Sequence, residues 1–222
     1  MFSRGRSYRD VPTIAFALLL TLAGRSTGHT LLHVDIAIDR GTVSQRSIDT
    51  AIEEAAVIWR PYGIDVRAVT WDRPSIDTIR LMVRVVGSRT ADVTAGAIGS
   101  IAFAQETPRP YVTLFADDAW KMITAAEGEG VRAWSPAYHD RIEGRTLGRA
   151  LAHEVGHYLL RMRGHSGSGL MRAEHSIPSL IANDRHPFRL SPRDAANLAV
   201  RLAVDLRPAA RVTAYVKSDG GS

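Results

Sequence analysis

The 222-residue sequence predicts a single α+β domain: a mixed twisted sheet, a helix that carries a candidate site, and a closing C-terminal helix. Three observations predict it. Apolar residues alternate at period two in three early segments, a helical pattern separates the first from the second, and helical patterns dominate the C-terminal half. The length suits one well-buried core, and no internal repeat or interdomain linker divides the chain.

The N-terminus stands apart from this domain. Arg4, Arg6 and Arg9 precede an apolar run from Thr13 to Ala23, and Gly24, Arg25 and Ser26 follow. Charged, apolar, then small is the order of a secretory signal peptide. The run is too short to span a bilayer, which takes about 20 apolar residues. Residues 1–24 are therefore expected to be cleaved, leaving a domain at 25–216 and a flexible tail at 217–222. A secreted or periplasmic location without stable membrane insertion follows. The first strand begins so soon after the cleavage point that the exported protein is expected to be active without further trimming.

Leu32, Val34, Ile36 and Ile38 alternate with His33, Asp35 and Ala37, the period of a half-buried strand closed by Gly41. Ile48, Ile52, Ala55 and Trp59 recur at helical spacing, with Ser44 or Ser47 as N-cap and Pro61-Tyr62-Gly63 as the stop. Ile64, Val66 and Ala68 give a second strand; Ile79, Leu81, Val83 and Val85 give a third. The small residues from Thr90 to Ala104 predict a surface loop. Tyr111 to Phe115 predicts a short strand at a sheet edge, where Pro108 and Pro110 are tolerated. Asp117 or Asp118 is placed to cap a short helix through Ala126, and Glu127 to Trp134 predicts a loop. The next helix starts between Glu143 and Thr146. After an irregular stretch, Ser191-Pro192 opens a last helix reaching about Leu206, because Pro208 follows.

Composition narrows the function. The chain has no cysteine, which excludes disulfides, thiolate metal sites and thiol nucleophiles. The formal charge is +5, and +3 remains beyond residue 24, where the basic residues are scattered. Arg outnumbers Lys 26 to 2, and no run is dense enough for a nucleic-acid patch.

The chemistry lies in Ala150 to Met171, ALAHEVGHYLLRMRGHSGSGLM. Residues i and i+4 share one helix face about 6 Å apart, so His153 and His157 can aim at one Zn2+ ion with bonds of about 2.0–2.1 Å. Glu154 sits one position round, able to reach a zinc-bound water without being a ligand. The uncharged neighbours Ala150, Leu151, Ala152, Val155, Gly156, Leu159 and Leu160 bury this helix, and buried imidazoles and a carboxylate are costly without partners. The bland reading, two hydrogen-bonded core histidines beside an exposed glutamate, explains less.

With these residues the sequence resembles the zincin metallopeptidases, and within them the metzincins, whose signature is HExxHxxGxxH followed by a turn containing Met. His153, Glu154 and His157 match, Gly169-Leu170-Met171 is similar to the Met-turn, and the order of elements from Leu31 on resembles the metzincin catalytic domain. The resemblance implies a zincin/metzincin-like catalytic domain. Two positions depart from the pattern: Leu160 stands in place of the glycine and Arg163 in place of the third histidine. The next histidine is His165, after Gly164. A helix continuing to it would rise about 12 Å, too far for one ion, so the helix must break near Leu160 to Met162. Glu174 and His175 are the rival third ligands, and His186, before Pro187, reads as a loop histidine. Met171 favours His165, because a Met-turn follows its ligand closely.

Weaker candidates are Tyr111–Phe115 as a peptide-aligning edge, Trp134, Tyr138 and His139 as pocket lining, and Asp117-Asp118 as a calcium site. His29 and His33 carry no signal. The expected function is a secreted zinc endopeptidase acting on peptides or proteins by attack of zinc-bound water, with Glu154 as general base. The alternative is a non-catalytic structural or interaction protein with a closed zinc site.

Overall fold

The computed structural model describes residues 32–70, 78–91 and 93–205. The expected signal peptide and tail lie outside these residues. Five strands, β1 (Leu32–Asp39), β2 (Ile64–Ala68), β3 (Ile79–Val86), β4 (Gly99–Ala104) and β5 (Thr107–Phe115), form one mixed sheet in the order β2-β1-β3-β5-β4. All neighbours are parallel except β4 and β5, which are antiparallel. No helix among the described residues is long and apolar enough to cross a membrane.

The interior position of β1, between β2 and β3, explains its burial. Val34, Asp35, Ile36 and Ala37 are buried in succession, so the strand is covered on both faces and not half-exposed as its alternation suggested. Buried Asp35 is satisfied by Arg67 Nε at 2.7 Å and Thr78 Oγ1 at 3.0 Å. Helix α1 (Gln45–Trp59) crosses back to β2, capped at Ser44, whose hydroxyl accepts from the Ser47 amide at 3.0 Å. It ends through a short 3₁₀ turn at Gly63, whose φ of 74° suits glycine.

Two expectations around the sheet edge need correction. The stretch expected as loop from Thr90 to Ala104 ends in β4, which is an edge strand. Tyr111–Phe115 is not an edge, because β5 lies between β3 and β4. Pro108 and Pro110 are accommodated because they precede Tyr111, where pairing with β3 begins. The β4–β5 turn hid itself by using Gln105 at φ 55° where glycine is usual.

Helix α2 (Ala116–Glu127) begins without a side-chain cap. Asp118 instead accepts from the Arg89 amide at 2.7 Å and pairs with Arg89 and Lys121, tying the loop after β3 to this helix. Asp117-Asp118 therefore has its carboxylate Asp118 committed to cations of the chain. The segment Gly128–Ala133 is a 3₁₀ helix where a loop was expected.

The site-bearing helix, α3 (Pro136–Leu160), is 25 residues long and starts well before the expected Glu143–Thr146. Ser135 caps it and Pro136 fills the first turn, a start signal missed because Gly144 and Gly148 weaken the helical pattern. Those glycines are what let α3 lie against α1. A Cβ at Gly144 or Gly148 would sit 2.5 Å from the backbone oxygen of Ser47 or Ala51. Trp59, fully buried, donates its indole N–H to Ala152 O at 3.1 Å, fixing the helix one residue before His153. After α3 come a short helix α4 (Ile177–Ile181), a 3₁₀ turn (His186–Phe188) and α5 (Pro192–Asp205). Ser191 accepts from the Asp194 amide at 3.1 Å, as the Ser-Pro start predicted.

Candidate metal centre

Helix α3 stops at Leu160, and its last turn closes on the carbonyls of His157 and Tyr158. Arg161 supplies the left-handed residue at φ 49°, and Met162 N–H reaches His157 O at 3.2 Å. The break lets the chain double back. Ser166 and Met171 close the returning loop through Ser166 N–H to Met171 O at 2.7 Å, and Leu170 N–H to Arg189 O at 2.7 Å anchors it. Gly169, at φ 73°, makes the turn. Met171 is fully buried beneath α3 at Gly156, where a Cβ would overlap its sulfur.

This path brings three imidazoles together. One nitrogen from each of His153, His157 and His165 lies within 4.8 Å of the others. The ring of His165 stacks on His153 at 5.2 Å between centroids and stands edge-on to His157 at 5.0 Å. The helical pair is oriented from behind: His153 Nδ1–H donates to Leu170 O at 2.8 Å, and His157 Nδ1–H donates to Met162 O at 2.6 Å. A carbonyl only accepts, so both protons sit on Nδ1 and both Nε2 atoms present lone pairs. Those Nε2 atoms face each other at 3.0 Å. Two acceptors that close repel unless a cation lies between them. Two zinc–nitrogen bonds of about 2.0–2.1 Å at a tetrahedral angle hold their nitrogens about 3.4 Å apart, so the residues fit a zinc ion after a small movement.

The electrostatics agree with neutral ligands. Burial, then the neighbouring His157, push His153 down to about 3. Burial also lowers His157 and the more exposed His165. Glu154, 6% exposed, is pushed up to about 8 by burial. No side chain or amide among the described residues donates to its carboxylate. Gly99 of β4 lies against it: a Cβ there would be 3.1 Å from Glu154 Oε1 and 3.2 Å from Cγ. Gly99 is thus a site residue that sequence reasoning passed over as loop, and only the strand pairing of β4 could have pointed to it.

The remaining candidates separate from the cluster. Glu174 is exposed and not part of it. His175 stacks on Phe188 at 4.6 Å, and its Nε2–H approaches Leu170 O at 3.3 Å, the carbonyl that also holds His153. It supports the shell behind a ligand. His186 lies in the 3₁₀ turn His186–Phe188. Trp134, Tyr138 and His139 pack with Trp120, whose ring is 3.9 Å from that of His139. His139, Asp140 and Glu143 also lie close enough to share an ion. There, however, Ser47 donates to Glu143 at 2.7 Å and Ser44 to Asp140 at 3.0 Å, so both carboxylates have donors in α1 and its cap.

No family model matches the chain, and no curated protein matches it. Among solved structures it is similar to archaemetzincin from Methanopyrus kandleri, at 11% sequence identity and a TM-score of 0.49, over 82% of this chain and 99% of that one.

Proposed function

We propose that this chain is an exported zinc-dependent endopeptidase of metzincin-like organisation, with His153, His157 and His165 as metal ligands and Glu154 as general base. The facing Nε2 lone pairs of His153 and His157, 3.0 Å apart with both Nδ1 protons committed to carbonyls, carry this reading. Among the described residues the three-histidine group includes no fourth protein ligand, which favours an open catalytic site over a closed structural one. Zinc in such a site supplies Lewis-acid activation of water and of a peptide carbonyl.

The chain's own residues do the rest. Glu154 takes the proton of the attacking water and returns it to the leaving amine. Burial raises its carboxyl in the metal-free site, and a cation beside it would lower it again to a carboxylate able to accept that proton. The carbonyls of Leu170 and Met162 fix the two helical imidazoles, which makes their Nε2 atoms better donors to a metal. The outer edge of β4 can accept an extended peptide as an added strand, laying its backbone past Gly99 and so beside Glu154. The apolar N-terminal run preceded by arginines supports export.

The test pairs metal analysis with Glu154→Gln. Wild type and variant should each hold about one zinc per chain, and His165→Ala should hold much less. Hydrolysis of an unfolded protein substrate should require zinc and fall by roughly 10³-fold in Glu154→Gln. Equal hydrolysis by wild type and Glu154→Gln would remove Glu154 from the chemistry. Zinc retained with no hydrolysis by wild type would instead favour the structural reading.

A further inference from the structure

A cavity of about 1010 Å³ opens beside His165, between the loop that follows α3 and one side of α5. Arg161, Arg193 and Arg201 line it, together with Val200 and Val204, which are 65% and 63% exposed. Its single acidic lining residue, Asp194, is 2% exposed. Asp194 is committed locally: its carboxylate accepts from Ser166 Oγ at 2.9 Å and from Ser191 Oγ at 2.7 Å, and its amide donates to Ser191 Oγ at 3.1 Å. Among the described residues no side chain pairs with any of the three guanidinium groups. Some arginines of the fold are neutralised by carboxylates, Arg67 by Asp35, Arg89 by Asp118, and Arg149 and Arg185 by Glu54; these three are not.

Three unpaired cations around one concavity create a positive potential that an anion would relieve. Guanidinium groups match a carboxylate in particular, through two parallel N–H···O bonds. The two valines offer an apolar wall for the methylene stem of the group that carries it. Because His165 forms part of the same cavity wall, a chain crossing the metal centre would pass the cavity mouth.

We propose that this cavity is a specificity site for a substrate carboxylate. The carboxylate belongs either to an acidic side chain near the scissile bond or to the C-terminus of the substrate. The inference rests on the peptidase reading and names the substrate class for it.

The test uses equilibrium binding of three hexapeptides to the full exported chain, measured with zinc and after chelation. One is acetylated, amidated and carries two central glutamates; the second has glutamines in their place; the third has the glutamines and a free C-terminal carboxylate. The glutamate peptide or the free-terminus peptide should bind about tenfold more tightly than the blocked glutamine peptide. Whichever does so identifies the source of the carboxylate. The preference should weaken with added salt and disappear in Arg193→Gln/Arg201→Gln, two exposed or half-exposed positions of α5 that need not disturb folding. Equal binding of all three peptides, or a preference that survives in the double variant, would overturn the proposal. Hydrolysis without carboxylate preference would sink this inference and spare the peptidase. Carboxylate preference in a chain that Glu154→Gln leaves unaltered in activity would do the reverse, because binding does not need the metal.

Discussion

Two buried glutamates, one turned from α1 to α3 and one turned from α3 to β4, differ in a way that separates scaffold from site. Glu54, on α1, is 3% exposed and fully engaged. Arg149 Nε donates to its Oε1 at 2.8 Å, and Arg185 donates to Oε2 at 2.7 and 2.9 Å. Arg149 also donates to the carbonyls of Ser179 and Asp184 and lies over the Phe188 ring at 4.3 Å. Glu154, on α3, is as buried, yet receives no hydrogen bond from the described residues, and its pKa is pushed up to about 8 by burial. A fold satisfies its buried charges where they serve structure. A mostly buried carboxylate with no donor among the described residues, beside two facing imidazoles, is the pattern of a group held for a ligand and not for the scaffold, which is the reading proposed above.

The largest expected effect tests the structural half of this contrast. Glu54→Ala strands the Arg149 guanidinium, whose side chain is fully buried, and should lower unfolding free energy by about 3–5 kcal/mol in a denaturant melt. The segment from Ser179 to Phe188 hangs on the same arginine, so its amides should lose hydrogen-exchange protection ahead of the sheet. A loss under 1 kcal/mol would mean that the pair is screened, and the contrast with Glu154 would then fail.

The next effect concerns the unpartnered half. In the metal-free protein Glu154 has a folded pKa near 8 against an ordinary 4.5, so the folded state holds the proton more tightly than the unfolded chain. Its contribution to stability is present below about 4.5 and lost as pH rises to 8. His153 acts with the opposite sign, lowered from 6.5 to about 3, and adds stability as pH rises through that interval. From pH 6.5 to 8 the glutamate acts without that opposition, and metal-free stability should fall by an amount on the order of 2 kcal/mol. Glu154→Gln should flatten that slope, and saturating zinc should remove it by placing a cation beside the carboxylate. An unchanged slope in Glu154→Gln would show that another group titrates there.

What could be read in advance divides along a similar physical line. The i, i+4 histidines with their glutamate were legible because a helix imposes that geometry whatever surrounds it. The strands β1, β2 and β3 and the Ser191-Pro192 start were legible for the same local reason. The Ser135-Pro136 start of α3 was equally local but was obscured by the two glycines, whose purpose, close approach to α1, exists only in the packed structure. The edge strand and the manner of the helix break were hidden by a shared device. Both depend on a non-glycine residue at positive φ, Gln105 in the β4–β5 turn and Arg161 after α3, and the usual glycine or asparagine signal is missing at each. Gly99 and the partnering of Glu54 depend on contacts between segments far apart in sequence, which no local pattern contains.

Arg161 also provides the smallest expected effect and the finest test of where scaffold ends and site begins. A left-handed conformation at a residue with a Cβ costs roughly 1–2 kcal/mol, and nothing among the described residues compensates through the Arg161 side chain. Glycine removes that strain but loses about 0.5–1 kcal/mol of chain entropy on folding. Arg161→Gly should therefore stabilise the domain by about 0.5–1 kcal/mol, visible as a small rise in thermal midpoint. If Arg161 served only as a helix terminator, carboxylate peptides would bind the variant as they bind wild type. Since Arg161 also lines the arginine-rich cavity, their affinity should drop a few-fold while zinc content stays at about one per chain. Gained stability with weakened carboxylate binding would show that strain is kept at this position because the side chain is used. Gained stability with unchanged binding would assign Arg161 to the scaffold and leave the cavity's charge to Arg193 and Arg201.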